Sequence, residues 1–210
     1  GMGYDSRIGN KFLNAGIGYG GSCFPKDTKA LHWLSKELER ELKTVSACIE
    51  VNKRQKIILY EYLKELLIDL ENKNIGVLGL TFKPGTDDLR EAASIDNVEL
   101  LLDSGANVKA YDPISTEKFK EKIKLFVDED KVVEKINYYT DIDDTIKDCD
   151  AVLIMTEWPQ IKEYDLNKYE ELMKNPLVLD GRNCYNLKDV EKTKVKYLSI
   201  GRKRINFDKK

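Results

Sequence analysis

Residues 75–85 read IGVLGLTFKPG, a short apolar run that ends in polar and turn-forming residues. A run of this length, bounded by turn signals, predicts a strand at Ile75–Leu80. The following Lys83-Pro84-Gly85 predicts a loop. A short apolar run followed by turn-forming residues recurs along the rest of the chain, so this pattern indicates the fold class.

Five further apolar runs predict strands at Val108–Tyr111, Ile136–Tyr139, Ala151–Met155, Leu177–Leu179 and Val195–Ile200. Between the first two strands a helix is predicted from Ser94 to Ser104, with Gly105 at its C-terminal end. Strands that alternate with helices indicate right-handed βαβ crossovers. Residues 72–210 are therefore predicted to form an α/β domain, a Rossmann-like doubly wound parallel sheet of about six strands.

The segments that follow these strands combine polar, cationic and aromatic residues. They are residues 81–85, 112–113, 156–158 and 180–182. In doubly wound sheets, ligands bind beyond the carboxyl ends of the strands. A mixture of this kind at that edge suits a nucleotide.

The first 71 residues have a different pattern. A glycine-rich segment from Gly3 to Phe24 predicts a structured loop. A helix is then expected to start at Pro25 and to bury leucines at helical spacing, namely Leu31, Leu34, Leu38 and Leu42. A second helix is expected to follow Thr44 as its N-cap and to run to Leu70. At about 40 Å it would be a long linker helix ahead of the sheet.

Composition excludes several classes of protein. The chain has 210 residues, of which 41% are hydrophobic and 34% charged, and its net charge is -2. This balance gives no electrostatic reason to expect binding to nucleic acid or to an anionic membrane surface. No apolar run is long enough to span a bilayer and no signal-peptide pattern opens the sequence, so we expect a cytoplasmic protein.

The four cysteines, Cys23, Cys48, Cys149 and Cys184, lie far apart, and His32 is the single histidine. This set provides little for a zinc site, and we expect no metal. A disulfide framework is not expected without secretion signals. Any functional cysteine here is therefore expected to act through its thiol.

Residues 18–27 read GYGGSCFPKD and carry most of the chemical information. The pair Gly20-Gly21 allows close approach of a ligand to the backbone. Because Pro25 opens a helix, Cys23 is expected just before a helix N-terminus, where the helix dipole and Lys26 favour the nucleophilic thiolate.

Asp27 is expected in the first turn of that helix, where it could act as a partner of the helix dipole or position a water molecule. Two other interpretations of Cys23 stay open at this point. It could be a small buried core residue, since free cysteines are usually buried. It could also be the nucleophile of a hydrolase, but the only available base is His32, nine residues away on the same helix, which disfavours that reading.

Two segments, residues 7–13 and residues 18–27, closely resemble the catalytic cysteine segment of UDP-glucose 6-dehydrogenases, in the UDP-glucose/GDP-mannose dehydrogenase family. The similarity recurs downstream in order, at residues 76–83, 87–91, 111–113, 156–158 and 180–182. The resemblance implies that residues 1–71 are the C-terminal part of the family's central helical and dimerisation domain. Residues 72–210 would be its UDP-sugar-binding domain.

The residues around Cys23 also favour one substrate class. Dehydrogenases of N-acetylated UDP-sugars resemble Gly-Gly-His-Cys at this loop, whereas this chain has Ser22 before the cysteine. GDP-mannose dehydrogenases are closer but often have leucine where this chain has Phe24. UDP-glucose is therefore favoured, and GDP-mannose stays an alternative.

The resemblance implies a mechanism. Family enzymes oxidise UDP-glucose to UDP-glucuronate with two NAD⁺, and a cysteine holds the intermediate as a thiohemiacetal and then a thioester. Cys23 would be that nucleophile and Asp27 would assist the hydrolytic water. Lys26 resembles a residue near the cofactor, and Arg90 one that reaches the cofactor's phosphates.

The resemblance also assigns the sugar-nucleotide site. Residues expected to contact UDP-glucose are Phe12, Asn14, Ala15, Gly16, Ile17, Gly18, Tyr19, Gly20, Phe82, Lys83 and Arg182. Asn14 departs from a lysine found in some relatives. Arg7 matches an arginine that enters the neighbouring subunit's site, which implies a homodimer or a higher homo-oligomer.

The family's NAD-binding motif Gly-x-Gly-x-x-Gly is absent, since the glycines Gly76 and Gly79 have the wrong spacing. The helix that supplies the family's catalytic lysine and asparagine is also absent. The chain alone is therefore expected to be catalytically incomplete. Two other hypotheses stay open: a stand-alone nucleotide-sugar binding module, and a small Rossmann-like interaction protein with an incidental cysteine loop.

Overall fold

A computed structural model of the chain describes residues 1–11, 13–128, 130 and 134–207. Its sheet contains the strands β1 (Asn74–Leu78), β2 (Asn107–Tyr111), β3 (Ile136–Tyr139), β4 (Ala151–Ile154), β5 (Leu177–Asp180) and β6 (Lys196–Ser199). All neighbouring strands pair in parallel, in the order β3-β2-β1-β4-β5-β6. The predicted doubly wound sheet of six strands is confirmed, with strand ends within two residues of the expected ones.

The helices of the described residues are α1 (Cys23–Glu37), α2 (Lys43–Lys56), α3 (Ile58–Leu67), α4 (Ala93–Asp103), α5 (Thr116–Ile123), α6 (Ile142–Ile146), α7 (Pro159–Lys162), α8 (Leu166–Leu172) and α9 (Leu187–Val190). A short 3-10 turn, Met2–Tyr4, precedes them. None of these helices is both long enough and apolar enough to cross a bilayer. The helix predicted at 94–104 is α4, and Gly105 follows it with φ +76, as expected of a C-terminal glycine.

Two hydrophobic cores lie on opposite faces of the sheet. Successive residues of a strand point to opposite faces, so Val77 packs in one core and Leu78 in the other. The first core is completed by α3, α4 and α5, and the second by helices α6 to α9. The central strands β1, β4 and β5 are covered on both faces and are almost wholly apolar, which is why the sequence reveals them.

The stripe of leucines on the first helix is not buried within this chain. Helix α1 starts at Cys23, two residues before the expected Pro25. The four leucines expected in a core are exposed by 46%, 46%, 62% and 37%, in the order Leu31, Leu34, Leu38 and Leu42. That prediction is wrong for this chain, because helical spacing reveals an apolar face but not the surface that covers it.

The long linker helix predicted up to Leu70 is interrupted. Ile57 separates α2 from α3, and the N-cap of α2 is Leu42, so Thr44 lies inside the helix. Asn97 of α4 causes the break. Its Nδ2 atom donates to the carbonyl of Lys56 at 2.7 Å, and its Oδ1 atom accepts from the amide of Tyr60 at 3.2 Å. In an unbroken helix these two backbone groups would bind each other.

Candidate functional site

The glycine-rich loop before α1 lies on the carboxyl ends of the central strands. Ile17 is fully buried, and a Cβ atom at Gly181, just after β5, would lie 2.7 Å from its side chain. Asn14, Ala15 and Gly18 line a cleft with Arg182. The structure thus brings the two segments predicted to bind the sugar nucleotide into one place.

Helix α2 holds this loop by its backbone. The side chain of Asn52 accepts from the amide of Tyr19 at 2.8 Å and donates to the carbonyl of the same residue at 3.1 Å. Gln55 donates to the carbonyl of Gly16 at 2.8 Å. The sequence analysis did not identify Asn52 or Gln55 as site residues. The available signal was two amide side chains three residues apart, which share one face of a helix.

Gly20 and Gly21 are packed against the protein itself. Gly21 has φ +82, and a Cβ atom there would lie 2.8 Å from the ring of Phe82. Its amide donates to the carbonyl of Arg90 at 2.8 Å. A Cβ atom at Gly20 would lie 2.5 Å from the carbonyl oxygen of Glu91. We expected close approach of a ligand here, and the structure supplies a close approach of backbone and ring instead.

Cys23 is the first residue of α1 and its side chain is exposed. Ser22, the N-cap, makes no side-chain capping bond, and its Oγ atom lies 3.7 Å from the Cys23 sulfur. The free amides at a helix start attract negative charge. Asp27 lies one turn further along α1 rather than in the first turn, so it shares a face with Cys23. Its carboxylate is 3.4 Å from the Lys26 ammonium, and both are exposed.

Two clefts adjoin the loop. Cleft A, about 520 Å³, is lined by Asn14, Ala15, Gly18, Glu157, Lys162, Arg182, Asn183 and Cys184. Cleft B has a volume of about 510 Å³ and is lined by near neighbours of Cys23 and by charged side chains. The neighbours are Gly21, Ser22 and Pro25, the cations include Lys26, Lys29, Lys56 and Arg90, and the acids are Glu91 and Asp96. Of the residues predicted to bind the sugar nucleotide, Asn14, Ala15, Gly18 and Arg182 line cleft A, and the two predicted cofactor residues, Lys26 and Arg90, line cleft B.

Arg182 is the oriented cation of cleft A. Its Nε atom donates to the carbonyl of Met155 at 2.9 Å and lies 3.4 Å from the Glu157 carboxylate. Its Nη2 atom donates to the carbonyl of Phe82 at 3.2 Å. Burial lowers the pKa of Arg182 from its ordinary value, although the charge of Glu157 opposes this effect. These two hydrogen bonds to backbone carbonyls fix the direction of the guanidinium.

The turn that carries Arg182 is anchored by Asp180. This carboxylate is fully buried and accepts from the backbone amides of Arg182 at 2.8 Å and Cys184 at 2.6 Å, and from the hydroxyl of Tyr197 at 2.5 Å. Burial raises the pKa of Asp180, while these hydrogen bonds act to lower it. The Asp-Gly-Arg segment thus owes its position to a buried acid.

Among the remaining predicted residues that the structure describes, Lys83, Arg90 and Arg7 contact near neighbours in the sequence. Phe82 is half-buried, and the Lys83 ammonium lies 5.3 Å from its ring centre. Arg90 is exposed and forms a two-point ion pair with Asp88, at 2.9 and 2.7 Å. Arg7 is exposed and pairs with Asp5 at 2.7 Å. Phe12 lies outside the described residues.

Two of the three remaining thiols, Cys149 and Cys184, and the histidine are poorly placed for chemistry, whereas Cys48 is exposed. Burial raises the pKa of Cys149 to about 12 and also raises that of Cys184. His32 contacts the Ser46 hydroxyl at 3.0 Å. Nine residues separate it from Cys23 on one helix, about 13 Å along the axis, which is too far for a general base. Among the described residues, no group of three or more His, Cys, Asp or Glu side chains could hold a metal ion.

Comparison with known proteins identifies both halves of the chain. Residues 76–187 match the UDP binding domain of the UDP-glucose/GDP-mannose dehydrogenase family, and residues 1–54 match the central domain of the same family.

Two UDP-glucose 6-dehydrogenases of Bacillus subtilis are 43% and 42% identical to this chain over 202 and 205 residues. The matches cover 96% and 98% of this chain but 42% and 44% of those proteins. A solved UDP-glucose dehydrogenase from the archaeon Pyrobaculum islandicum is 34% identical, with a TM-score of 0.76 over 94% of this chain and 41% of that one. The chain therefore spans less than half the length of the relatives it matches.

Proposed function

This chain belongs to the UDP-glucose/GDP-mannose dehydrogenase family, and from that premise we propose that it is the C-terminal part of an NAD-dependent UDP-glucose 6-dehydrogenase. The observation that carries the proposal is the placement of Cys23. The loop that contains it lines cleft A through Asn14 and Gly18, and lines cleft B through Gly21 and Ser22. The exposed thiol of Cys23, at a helix start, directly follows Ser22 of cleft B and is joined to cleft A by the loop.

In this proposal, cleft A holds the UDP-sugar. The Arg182 guanidinium binds the diphosphate, and its hydrogen bonds to the carbonyls of Met155 and Phe82 fix its direction. Lys83 adds an exposed ammonium at the same edge of the sheet. The loop backbone around Gly16 and Tyr19 lies against the glucosyl group, and α2 holds both residues in place.

Cys23 then retains the aldehyde that forms at C6. Its thiolate adds to the carbonyl carbon as the C=O π bond opens, and the resulting alkoxide takes a proton to give a thiohemiacetal. After the second oxidation the product is a thioester, which water cleaves to release a carboxylate and return the thiol. Asp27, on the same face of α1, positions that water.

NAD is the cofactor that the proposal requires. Lys26 and Arg90, two cations at cleft B beside Cys23, fit its pyrophosphate, provided that Arg90 turns away from Asp88. When bound, NAD accepts a hydride in each oxidation. We expect the chain alone to form no NADH from UDP-glucose, because it lacks the Gly-x-Gly-x-x-Gly segment. The cytoplasmic location stays a prediction.

Calorimetric titration of the chain with UDP-glucose tests the sugar-nucleotide site, with GDP-mannose and UDP-N-acetylglucosamine as comparators. We expect heat with UDP-glucose that Lys83→Ala weakens. A matched control, Lys196→Ala, removes an exposed lysine at the opposite edge of the sheet and should leave binding unchanged. Stronger binding of GDP-mannose would favour the alternative substrate. Absence of binding to the full-length enzyme as well would refute the assignment.

We also propose that the protein forms a homodimer through the leucine stripe of α1. Leu34 is 46% exposed and Leu38 is 62% exposed, and apolar surface of this kind marks interfaces. Sedimentation of Leu38→Lys should show a smaller species than the parent chain. Leu125→Lys, at a 74% exposed leucine outside the stripe, is the control. Identical sedimentation of both variants and the parent would contradict this interface.

A further inference from the structure

Glu91 joins two helices through its carboxylate. Its Oε1 atom accepts from the ammonium of Lys29 on α1 at 2.6 Å, and its Oε2 atom accepts from the ammonium of Lys56 on α2, also at 2.6 Å. The side chain of Lys56 is only 8% exposed. We call these three residues the Glu91 clamp. The clamp connects α1, which starts at Cys23, to α2, which holds the glycine-rich loop.

The backbone of the same residue touches the loop on the other side of Cys23. The carbonyl of Glu91 lies against Gly20, and the carbonyl of Arg90 accepts from the amide of Gly21 at 2.8 Å. Glu91 also has φ +54, a left-handed conformation that is costly for a residue with a side chain. Such conformations persist where surrounding contacts determine them, and they concentrate at functional sites.

The clamp depends on the charge of Glu91. Burial acts to raise the pKa of this carboxyl, but the ammonium groups of Lys29 and Lys56 lower it to about 2. The next acid is Asp96 on α4, whose carboxylate is 3.8 Å from the Lys56 ammonium. Loss of the Glu91 charge therefore leaves a buried ammonium without an anionic partner at hydrogen-bond distance.

We propose that Glu91 is a positioning residue that holds Cys23 in place through the clamp. Its side chain holds α1 on the C-terminal side of the cysteine, and its backbone contacts Gly20 on the N-terminal side. The inference rests on the proposed function in that Cys23 is taken as the nucleophile. Glu91 lines cleft B, the proposed cofactor site, but not cleft A, where the substrate is placed.

Hydrogen exchange of the chain itself tests the mechanical part of this proposal. In Glu91→Gln, the amide of Gly21, which donates to the carbonyl of Arg90, and the amides of residues 27–30 in the first bonded turn of α1 should exchange about tenfold faster or more, while those of β1 keep their rate. Asp96→Asn, which leaves both 2.6 Å contacts intact, is the matched control. Lys29→Gln opens the clamp but keeps Lys56 paired, so it serves if Glu91→Gln does not fold. Unchanged exchange at Gly21 and at residues 27–30 in both clamp variants would overturn the proposal.

Kinetics of the full-length enzyme tests the consequence for Cys23. Glu91→Gln should lower kcat by about tenfold or more, with little change in KM for UDP-glucose, because the substrate cleft is separate from the clamp. Glu91→Asp, which keeps the charge, should recover part of the loss. An unchanged kcat would overturn the positioning role. If the parent enzyme forms no NADH, the proposed function fails instead, and the exchange result alone decides the clamp.

Discussion

Replacing Asn97 by alanine should destabilise the chain measurably, because this fully buried side chain makes three hydrogen bonds. It donates to the carbonyls of Lys56 and Ala93, both at 2.7 Å, and accepts from the amide of Tyr60 at 3.2 Å. If α2 and α3 join into one continuous helix in the variant, the amide of Tyr60 donates directly to the carbonyl of Lys56. Three hydrogen bonds are then lost and one is gained, a net loss of two. At about 1 kcal/mol for each, the free energy of unfolding falls by about 2 kcal/mol.

If the packing of α4 prevents the two helices from joining, the buried carbonyl of Lys56 and the amide of Tyr60 both lose their partner. Each such group costs about 1–3 kcal/mol, so the loss rises to about 4 kcal/mol. Urea denaturation of the chain measures this difference. The control is Asn137→Ala, an exposed asparagine of β3, which should change stability by less than about 0.5 kcal/mol. A loss below about 1 kcal/mol for Asn97→Ala would refute the idea that this side chain interrupts the linker.

Three other expectations follow from the same geometry. Iodoacetamide should modify Cys23 in the native chain but spare Cys149 and Cys184, because burial raises the pKa of both of these thiols. Peptide mass spectrometry identifies the modified cysteines, and early labelling of Cys149 would contradict the packing. The pKa of Glu91 is depressed from an ordinary value of 4.5 to about 2, so its stabilising effect is present above pH 4.5 and is lost as the pH falls toward 2. The difference in unfolding free energy between the chain and Glu91→Gln should therefore shrink as the pH falls through that window. A difference that stays constant with pH in denaturation experiments would argue against the clamp. Asn52→Ala should lower stability by about 2 kcal/mol, as it frees both backbone groups of one loop residue, and a loss under about 0.5 kcal/mol would show that α2 does not hold the loop.

The strands could be read from the sequence because their signal is local. Each of β1, β4 and β5 is buried on both faces, so its residues form a continuous apolar run, and turn residues bound it. The helix that became α4 was also predicted, because Gly105 marks its end.

The site was predicted only in part, because only some of its residues have a local signal in the sequence. Cys23 and Arg182 belong to motifs whose chemistry is visible in a few consecutive residues. Asn52, Gln55 and Glu91, which hold the loop, have their partners more than 30 residues away in the chain. An asparagine or glutamate that binds a distant backbone group or ammonium looks, in the sequence, like any solvated polar residue.

By itself, the sequence determined the α/β class, the six strands and the resemblance carried by the cysteine loop, since repeating patterns and consecutive motifs encode all three. Tertiary structure alone decided where the linker is interrupted, because Asn97 reaches Lys56 across 41 residues. It also decided that the α1 leucines stay exposed among the described residues and that Glu91 spans two helices. Periodicity reports which face of an element is apolar or charged, but the surface or charge that meets that face depends on contacts between distant segments.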